Sequence, residues 1–294
     1  MTRKDAQTNT PTQPVALSPS QVETYRKNGF LVLEAAIDPA ACARAVQAIE
    51  RLQAGFDPSR HRSIFSTEDE DRGRDEVFFR SAETIEYFLE EGAVDEHGNL
   101  TRPLDRSINK LGHALHDRDP AIGEIARQPV LSGAVRDLGL DQPLLWQSMV
   151  IFKQPEIGGA VRWHQDASYL YTEPASVLGA WIALEDATRE NGCLLVESGG
   201  HRGPLRERYR VDWNTRVGQL ETLDETPWPS DSDAVALEVP AGSLVLFHDH
   251  LPHASAANLS PGRRTALTFH FADQNSAWSS ENWLQRPTLP PFRV

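Results

Sequence analysis

Cysteine is nearly absent: Cys42 and Cys193 are the two in 294 residues, far apart in the chain. Neither a disulfide framework nor a thiolate metal site follows from them. Long apolar runs are missing too, since no stretch approaches the roughly 18 consecutive apolar residues of a membrane span. The opening residues 1–16 are polar and hold no apolar signal core. The expectations are therefore a cytoplasmic compartment and no membrane partner. Basic residues are short as well, because 29 Lys and Arg against 42 Asp and Glu leave a formal charge of −13. Proteins that track phosphate backbones draw their affinity from clustered Lys and Arg, so nucleic acid is not an expected partner. No internal repeat is visible.

What is present is the composition of an ordinary globular protein, with 39% hydrophobic and 24% charged residues. Thr, Gln and Pro in residues 8–14 cannot bury enough apolar surface to offset the entropy of ordering. Residues 1–17 are read as a disordered tail and 18–294 as one domain. Ser18-Pro19-Ser20-Gln21 has the spacing of a capping box with proline at the first helical position, predicting a helix to about Asn28 that Gly29 ends. Phe30-Leu31-Val32-Leu33 has strand character. Asp38-Pro39 opens a second helix, along which Cys42, Val46, Ile49 and Leu52 recur at helical spacing to Gly55. Residues 56–80 are charged and aperiodic, predicting a surface loop. Residues 81–91 read as a helix with Ile85, Phe88 and Leu89 on one side. Asp119-Pro120 and Gln128-Pro129 open two more short helices.

After Pro143 the pattern changes. Residues 144–152, 177–184, 192–196, 234–239, 243–247 and 265–271 all read as strands, punctuated by glycine and proline. Strands so closely spaced, without helical patterns between them, predict an antiparallel sandwich or barrel with the helices outside. Residues 201–232 are polar and broken by Pro and Trp, and read as a long excursion over the barrel mouth.

The chemistry lies in Arg162-Trp163-His164-Gln165-Asp166. On extended backbone, residues two apart share a face, so His164 and Asp166 present an imidazole and a carboxylate together while Gln165 points away. A third ligand is available among His248, His250 and His253, and strand parity leaves the three undecided. Two histidines and a carboxylate on one side of an ion form the facial set of non-haem Fe(II) oxygenases, with positions left open for cosubstrate and dioxygen. A His-x-Asp spacing alone is a weak signal, as it also arises by chance. Arg264 adds to it: a guanidinium on the strand after the last ligand can anchor the far end of a metal-chelating dicarboxylate, where a surface ion pair is the plainer alternative.

The sequence resembles the phytanoyl-CoA dioxygenase family of Fe(II)/2-oxoglutarate oxygenases. The resemblance rests on Ser107-Ile108-Asn109-Lys110-Leu111-Gly112-His113, Gln147-Ser148-Met149-Val150-Ile151-Phe152-Lys153-Gln154-Pro155, His164-Gln165-Asp166-Ala167-Ser168-Tyr169-Leu170, Glu190-Asn191-Gly192-Cys193-Leu194 and Glu281-Asn282-Trp283-Leu284-Gln285. These runs extend over nearly the whole chain. The resemblance implies a mainly β fold, a double-stranded β-helix (jelly-roll, cupin-like) core with flanking N-terminal helices. It implies His164, Asp166 and His253 as iron ligands and Arg264 as the anchor of the distal carboxylate of 2-oxoglutarate. Lys110, Met149, Trp181 and Ser255 are further cosubstrate contacts by the same likeness. On their own, Lys110 reads as a solvated helix charge, Met149 and Trp181 as core, and Ser255 as a turn cap. The implied activity is Fe(II)-, 2-oxoglutarate- and O2-dependent hydroxylation of a small organic substrate, with release of succinate and CO2. A non-catalytic metal/2-oxoglutarate-binding protein and a metal-dependent hydrolase or isomerase on the same barrel are the alternatives.

Two features depart from or extend the family pattern. Ser198-Gly199-Gly200-His201 stands where the family commonly has Pro-Gly-Ser-His. Arg202, Arg206, Arg208 and Arg210 could meet the phosphates of a CoA ester, although Glu207 among them favours a solvated loop face.

Overall fold

A computed structural model describes residues 17–58, 63–64, 76–97 and 99–294. The expected tail up to Ala16, and the greater part of the loop expected before Arg80, lie outside the described residues. The chain opens with α1 (Pro19–Asn28), β1 (Phe30–Leu33), α2 (Pro39–Gly55), β2 (Ser63–Ile64), α3 (Glu76–Arg80) and β3 (Ile85–Leu89). β4 (Ile108–His113) is followed by α4 (Leu115–Arg118), α5 (Pro120–Ala126) and α6 (Pro129–Asp137). Strands then dominate: β5 (Pro143–Lys153), β6 (Val161–His164), β7 (Thr172–Glu173), β8 (Leu178–Ala183) and β9 (Leu194–Val196). A hairpin of β10 (Glu207–Asp212) and β11 (Val217–Thr222) precedes β12 (Val235–Leu237), β13 (Leu244–His248), β14 (His253–Ser255) and β15 (Arg264–Asp273). Two short strands close the chain, β16 (Ala277–Trp278) and β17 (Phe292–Arg293).

The helix boundaries follow local chemistry. Ser18 and Gln21 form the expected capping box, and Gly29 stops α1 with a left-handed φ of 82°. The Asp38 carboxylate caps α2 through the amide of Ala41, and Asp119 caps α5 through those of Ala121 and Ile122.

The larger sheet runs β1-β13-β8-β15-β5-β4-β3-β2, with β17 also paired to β5, and the smaller runs β12-β9-β14-β6. Strand alternation explains how they stack. Leu244 and Leu246 of β13, Ala180 and Ile182 of β8, and Leu267, Phe269 and Phe271 of β15 pack with Ala41, Ala45, Ile49, Ile122 and Leu131 of the helices. Their neighbours Val245, Phe247, Trp181, Ala183 and Ala266 turn the other way, onto Leu194, Val196 and Leu237 of the smaller sheet. The larger sheet thus has helices on one face and the second sheet on the other, a jelly-roll core flanked by N-terminal helices.

The expected helix at 81–91 is a strand. Ile85, Phe88 and Leu89 mimic a helical stripe, yet β3 pairs antiparallel with β4, Tyr87 opposite Leu111 and Phe88 opposite Lys110. Sheet pairing overrides the local period. The helix comes earlier, as α3, inside the segment expected to be loop, with Phe78 and Phe79 buried. Lys110 accordingly sits on a buried strand rather than on a solvated helix.

The stretch 201–232 is more ordered than its polarity suggested. Its hairpin β10–β11 packs Tyr209 and Val211 against Phe78, Leu170 and Trp283. Arg206 and Arg208 are buried, which corrects the solvated-face reading. Arg206 pairs with Glu197 at 2.8 Å and lies over the Trp228 ring. Arg208 donates to Asn282 and Ser279 and lies over Tyr171. Arg202 donates to the Lys27 carbonyl, and Arg210 pairs with Glu221 and Glu281. All four arginines are committed to partners within the fold.

Candidate metal and diacid site

β14 pairs antiparallel with β6 so that His253 lies in register with His164. β6 ends at His164, and Asp166 opens a short 3-10 turn. Gln165 between them keeps extended backbone, with φ −121° and ψ 138°, so the expected alternation carries through. The Gln165 amide turns away and donates to the carbonyls of Pro204 and His250, while its oxygen accepts from the Arg206 amide. That fixes the segment bearing Asp166.

The consequence is a convergent cluster. One ligand atom from each of His164, Asp166 and His253 lies within 4.8 Å of the others. Asp166 Oδ1 is 3.8 Å from His164 Nε2 and 3.7 Å from His253 Nε2. Each imidazole has Nδ1 at 2.9 Å from a backbone carbonyl, Arg162 for His164 and Leu251 for His253. A carbonyl only accepts, so Nδ1 carries the hydrogen and the Nε2 lone pairs face the shared space. Burial, reinforced by His253 nearby, pushes His164 down to about 3, so it stays neutral. Burial alone would raise the Asp166 carboxyl, but the imidazoles of His270, His253 and His164 outweigh it and hold the group well below the usual carboxylate range. An anionic oxygen and two imidazole lone pairs suit a divalent transition metal. His248 and His250 do not line the cavity that these three enter.

That cavity has a volume of ≈ 180 Å³ and runs between the two sheets. Arg264 lies in its wall, 2% exposed. Its Nη2 donates to the Gly192 carbonyl at 2.9 Å, but Nε and Nη1 are buried without a hydrogen-bond partner among the described residues. Burial pulls the guanidinium down to about 10, which leaves it charged at neutral pH. A buried cation with unpaired donors is costly, and a carboxylate would satisfy it with two parallel bonds. Lys110, Met149, Trp181 and Ser255 all line the same cavity.

Residues that the sequence reading did not single out are there too. Lys153 and Gln147 on β5 and Thr268 and His270 on β15 face the cavity. His270 places Nε2 at 3.0 Å from Asp166 Oδ2. The signal was parity: 264, 266, 268 and 270 share one face of β15, so the strand that carries Arg264 also presents His270. The remaining wall is largely aromatic or apolar, including Phe78, Tyr169, Leu170 and Trp283.

The model of the family described as phytanoyl-CoA dioxygenase (PhyH) matches residues 25–266. The chain belongs to the phytanoyl-CoA dioxygenase family. Among members of that family, phytanoyl-CoA dioxygenase domain-containing protein 1 of Rattus norvegicus is 42% identical over 284 residues, covering 94% of this chain and 97% of the relative. The phytanoyl-CoA dioxygenase of Arabidopsis thaliana is 40% identical over 278 residues, covering 94% and 96%. Solved structures share the fold at lower identity. The non-heme alpha ketoglutarate dependent carbocyclase SnoK superposes with a TM-score of 0.62 at 20% identity, over 93% of this chain and 90% of that one. EctD from S. alaskensis, solved with 2-oxoglutarate and 5-hydroxyectoine, gives 0.62 at 20%, over 96% and 84%.

Proposed function

We propose that this protein is an Fe(II)- and 2-oxoglutarate-dependent dioxygenase that hydroxylates a small organic substrate, with residues 18–294 forming one catalytic domain. The observation that carries the reading is the pairing, in one buried cavity, of the His164–Asp166–His253 cluster with an arginine, Arg264, whose Nε and Nη1 have no hydrogen-bond partner among the described residues. Family membership supports it.

In this reading His164, Asp166 and His253 hold the ferrous ion, and Arg264 receives the distal carboxylate of 2-oxoglutarate. Bound iron, dioxygen and the 2-oxo acid supply the oxidising chemistry, with succinate and CO2 as coproducts. The protein contributes position and protonation state. Asp166 is already ionised and His164 already neutral, so ion binding need not displace their protons. Lys110, Met149, Trp181 and Ser255, which line the same cavity, would help hold the 2-oxo acid. Phe78, Leu170 and Trp283 keep water from the reacting carbon, and Tyr169 adds an amphipathic edge. The cavity is small beside the ~300–1,000 Å³ of common ligand pockets, which fits a small substrate, or the reacting end of a longer one. Each arginine of the hairpin segment has an internal partner, with Nε and Nη1 of Arg206 left unpaired among the described residues, so the segment holds no free cluster of guanidinium groups for a CoA phosphate.

Anaerobic titration with Fe(II) and 2-oxoglutarate tests the proposal through the weak visible charge-transfer band of the chelate. A band that needs both components supports it. Metal binding without a band, together with turnover indifferent to 2-oxoglutarate, would transfer the site to hydrolase or isomerase chemistry, which has no use for Arg264. A band without substrate-stimulated succinate release would leave a binding protein.

A further inference from the structure

Each of the three ligand side chains has a rear atom tied to the fold. For the two histidines the partner is a backbone carbonyl, whereas for Asp166 it is another side chain. His270 is 5% exposed and Asp166 8%. The 3.0 Å contact joins His270 Nε2 to Oδ2, while the other oxygen, Oδ1, faces the Nε2 atoms of His164 and His253. The hydrogen must lie on His270 Nε2, because an ionised carboxylate only accepts. His270 Nδ1 is buried with no partner among the described residues, so there a lone pair costs less than an unpaired N–H would.

The backbone is shaped around this contact. The β5–β15 ladder runs in register until His270 stands opposite Gln147, and then shifts so that Phe271 faces Leu145. Trp146 is the extra residue, and its freed carbonyl accepts from Arg286 Nη1 at 2.9 Å. Bulges of this kind re-aim a side chain beside a functional site.

We propose that His270 is a positioning residue that confines Asp166 to one-oxygen ligation, engaging Oδ2 so that Oδ1 alone is presented to the metal. The inference rests on the reading of the site given above. It has a chemical consequence, since a carboxylate free to bind through both oxygens would occupy a position that the 2-oxo acid or dioxygen requires. Loss of such an outer partner costs about 10–100-fold in metal affinity.

Three substitutions test it. H270L removes the donor at similar volume, H270Q returns an amide N–H near the place of Nε2, and H270N carries the same amide on a side chain too short to reach Oδ2. Mn(II) affinity is read by the loss of the free-ion EPR signal, and the Fe(II)–2-oxoglutarate band is read anaerobically. The expected result is an Mn(II) Kd weakened about 10–100-fold in H270L and H270N, a weakened or shifted band in both, and recovery of both readouts in H270Q. If H270L does not fold, the Gln and Asn variants decide alone, because they share chemistry and differ in reach. Wild-type Mn(II) affinity and an unchanged band in H270N would overturn the proposal, as would a Gln variant no better than Asn. A wild-type protein that binds Mn(II) but gives no band refutes the 2-oxoglutarate reading, and the Mn(II) affinities still decide the role of His270. A wild type that binds no metal overturns both.

Discussion

Arg264 on β15 stands in register opposite Lys153 on β5, which brings two cationic side chains together in the wall of one buried cavity. Lys153 is 2% exposed and donates to the carbonyls of Gly159 and Ser255. Burial, with the charge of Arg264 adding to it, pushes its ammonium down to about 7, against a smaller upward pull from Glu90. A dianionic ligand reverses that balance, because a carboxylate beside the pair favours the charged form of the lysine.

Binding of 2-oxoglutarate therefore takes up a proton when the pH lies above about 7. The sign follows from linkage: the complex holds Lys153 protonated to higher pH than the free protein does, so affinity is full below about 7 and falls as pH rises through that value. The slope approaches tenfold per pH unit until the lysine of the complex also titrates. Calorimetry at pH 8 in two buffers of different ionisation enthalpy should show proton uptake, and K153M should abolish it. Equal apparent enthalpies in the two buffers would contradict the assignment.

Replacing Arg264 separates binding from stability. R264M removes the charge-assisted pair to the diacid, worth about 1.5–3 kcal/mol per hydrogen bond, so 2-oxoglutarate affinity should fall at least tenfold. The same change removes a buried cation that has unpaired donors in the free protein, so thermal stability of the free protein should hold or rise. Differential scanning fluorimetry with and without 2-oxoglutarate reads both effects, and a large loss of stability without ligand would show that Arg264 serves the fold instead.

How much of this could be read from the sequence depended on whether local pattern or distant pairing decides a residue's place. The capping residues Ser18, Asp38 and Asp119 act within a few positions of themselves, and their helices start where expected. Alternation placed His164 and Asp166 on one side even though the strand ends between them. Residues 85–89 misled because their apolar spacing fits a helix, and only the pairing with β4, some twenty residues away, makes them a strand. The hairpin was hidden because Arg208 and Arg210 alternate with Tyr209 and Val211, and burial of Arg208 depends on the distant Asn282 and Ser279. His270 carried a usable signal in its parity with Arg264, but its partner Asp166 lies 104 residues away. The choice of His253 over His248 and His250 came from family likeness. In the structure His253 stands in register with His164.

Gly192 ties Arg264 to Lys153 and should tolerate no side chain. Its φ is +83°, its carbonyl accepts from Arg264, and a Cβ there would lie 2.6 Å from both the Ala256 carbonyl oxygen and Lys153 Cδ. The left-handed conformation alone costs a non-glycine residue about 1–2 kcal/mol, and the backbone oxygen cannot swing aside as a lysine chain can. G192A should lower stability by at least about that amount and weaken 2-oxoglutarate binding, measured by urea unfolding and calorimetry. Unaltered affinity would show that the guanidinium finds its place without this carbonyl.

The third ligand can be assigned by a pair of substitutions. His253 is buried on β14 with Nε2 turned toward Asp166, and H253A should remove metal binding beyond the ~100-fold that outer contacts command, and with it the iron-dependent consumption of 2-oxoglutarate. His250 contributes through its backbone, whose carbonyl receives the Gln165 amide, while its ring packs edge-on to His248 at 5.7 Å. H250A keeps that carbonyl, so succinate release should remain near wild type. Measuring succinate and bound iron on both variants decides the matter: loss of both in H250A with retention in H253A would move the metal away from the cavity described here.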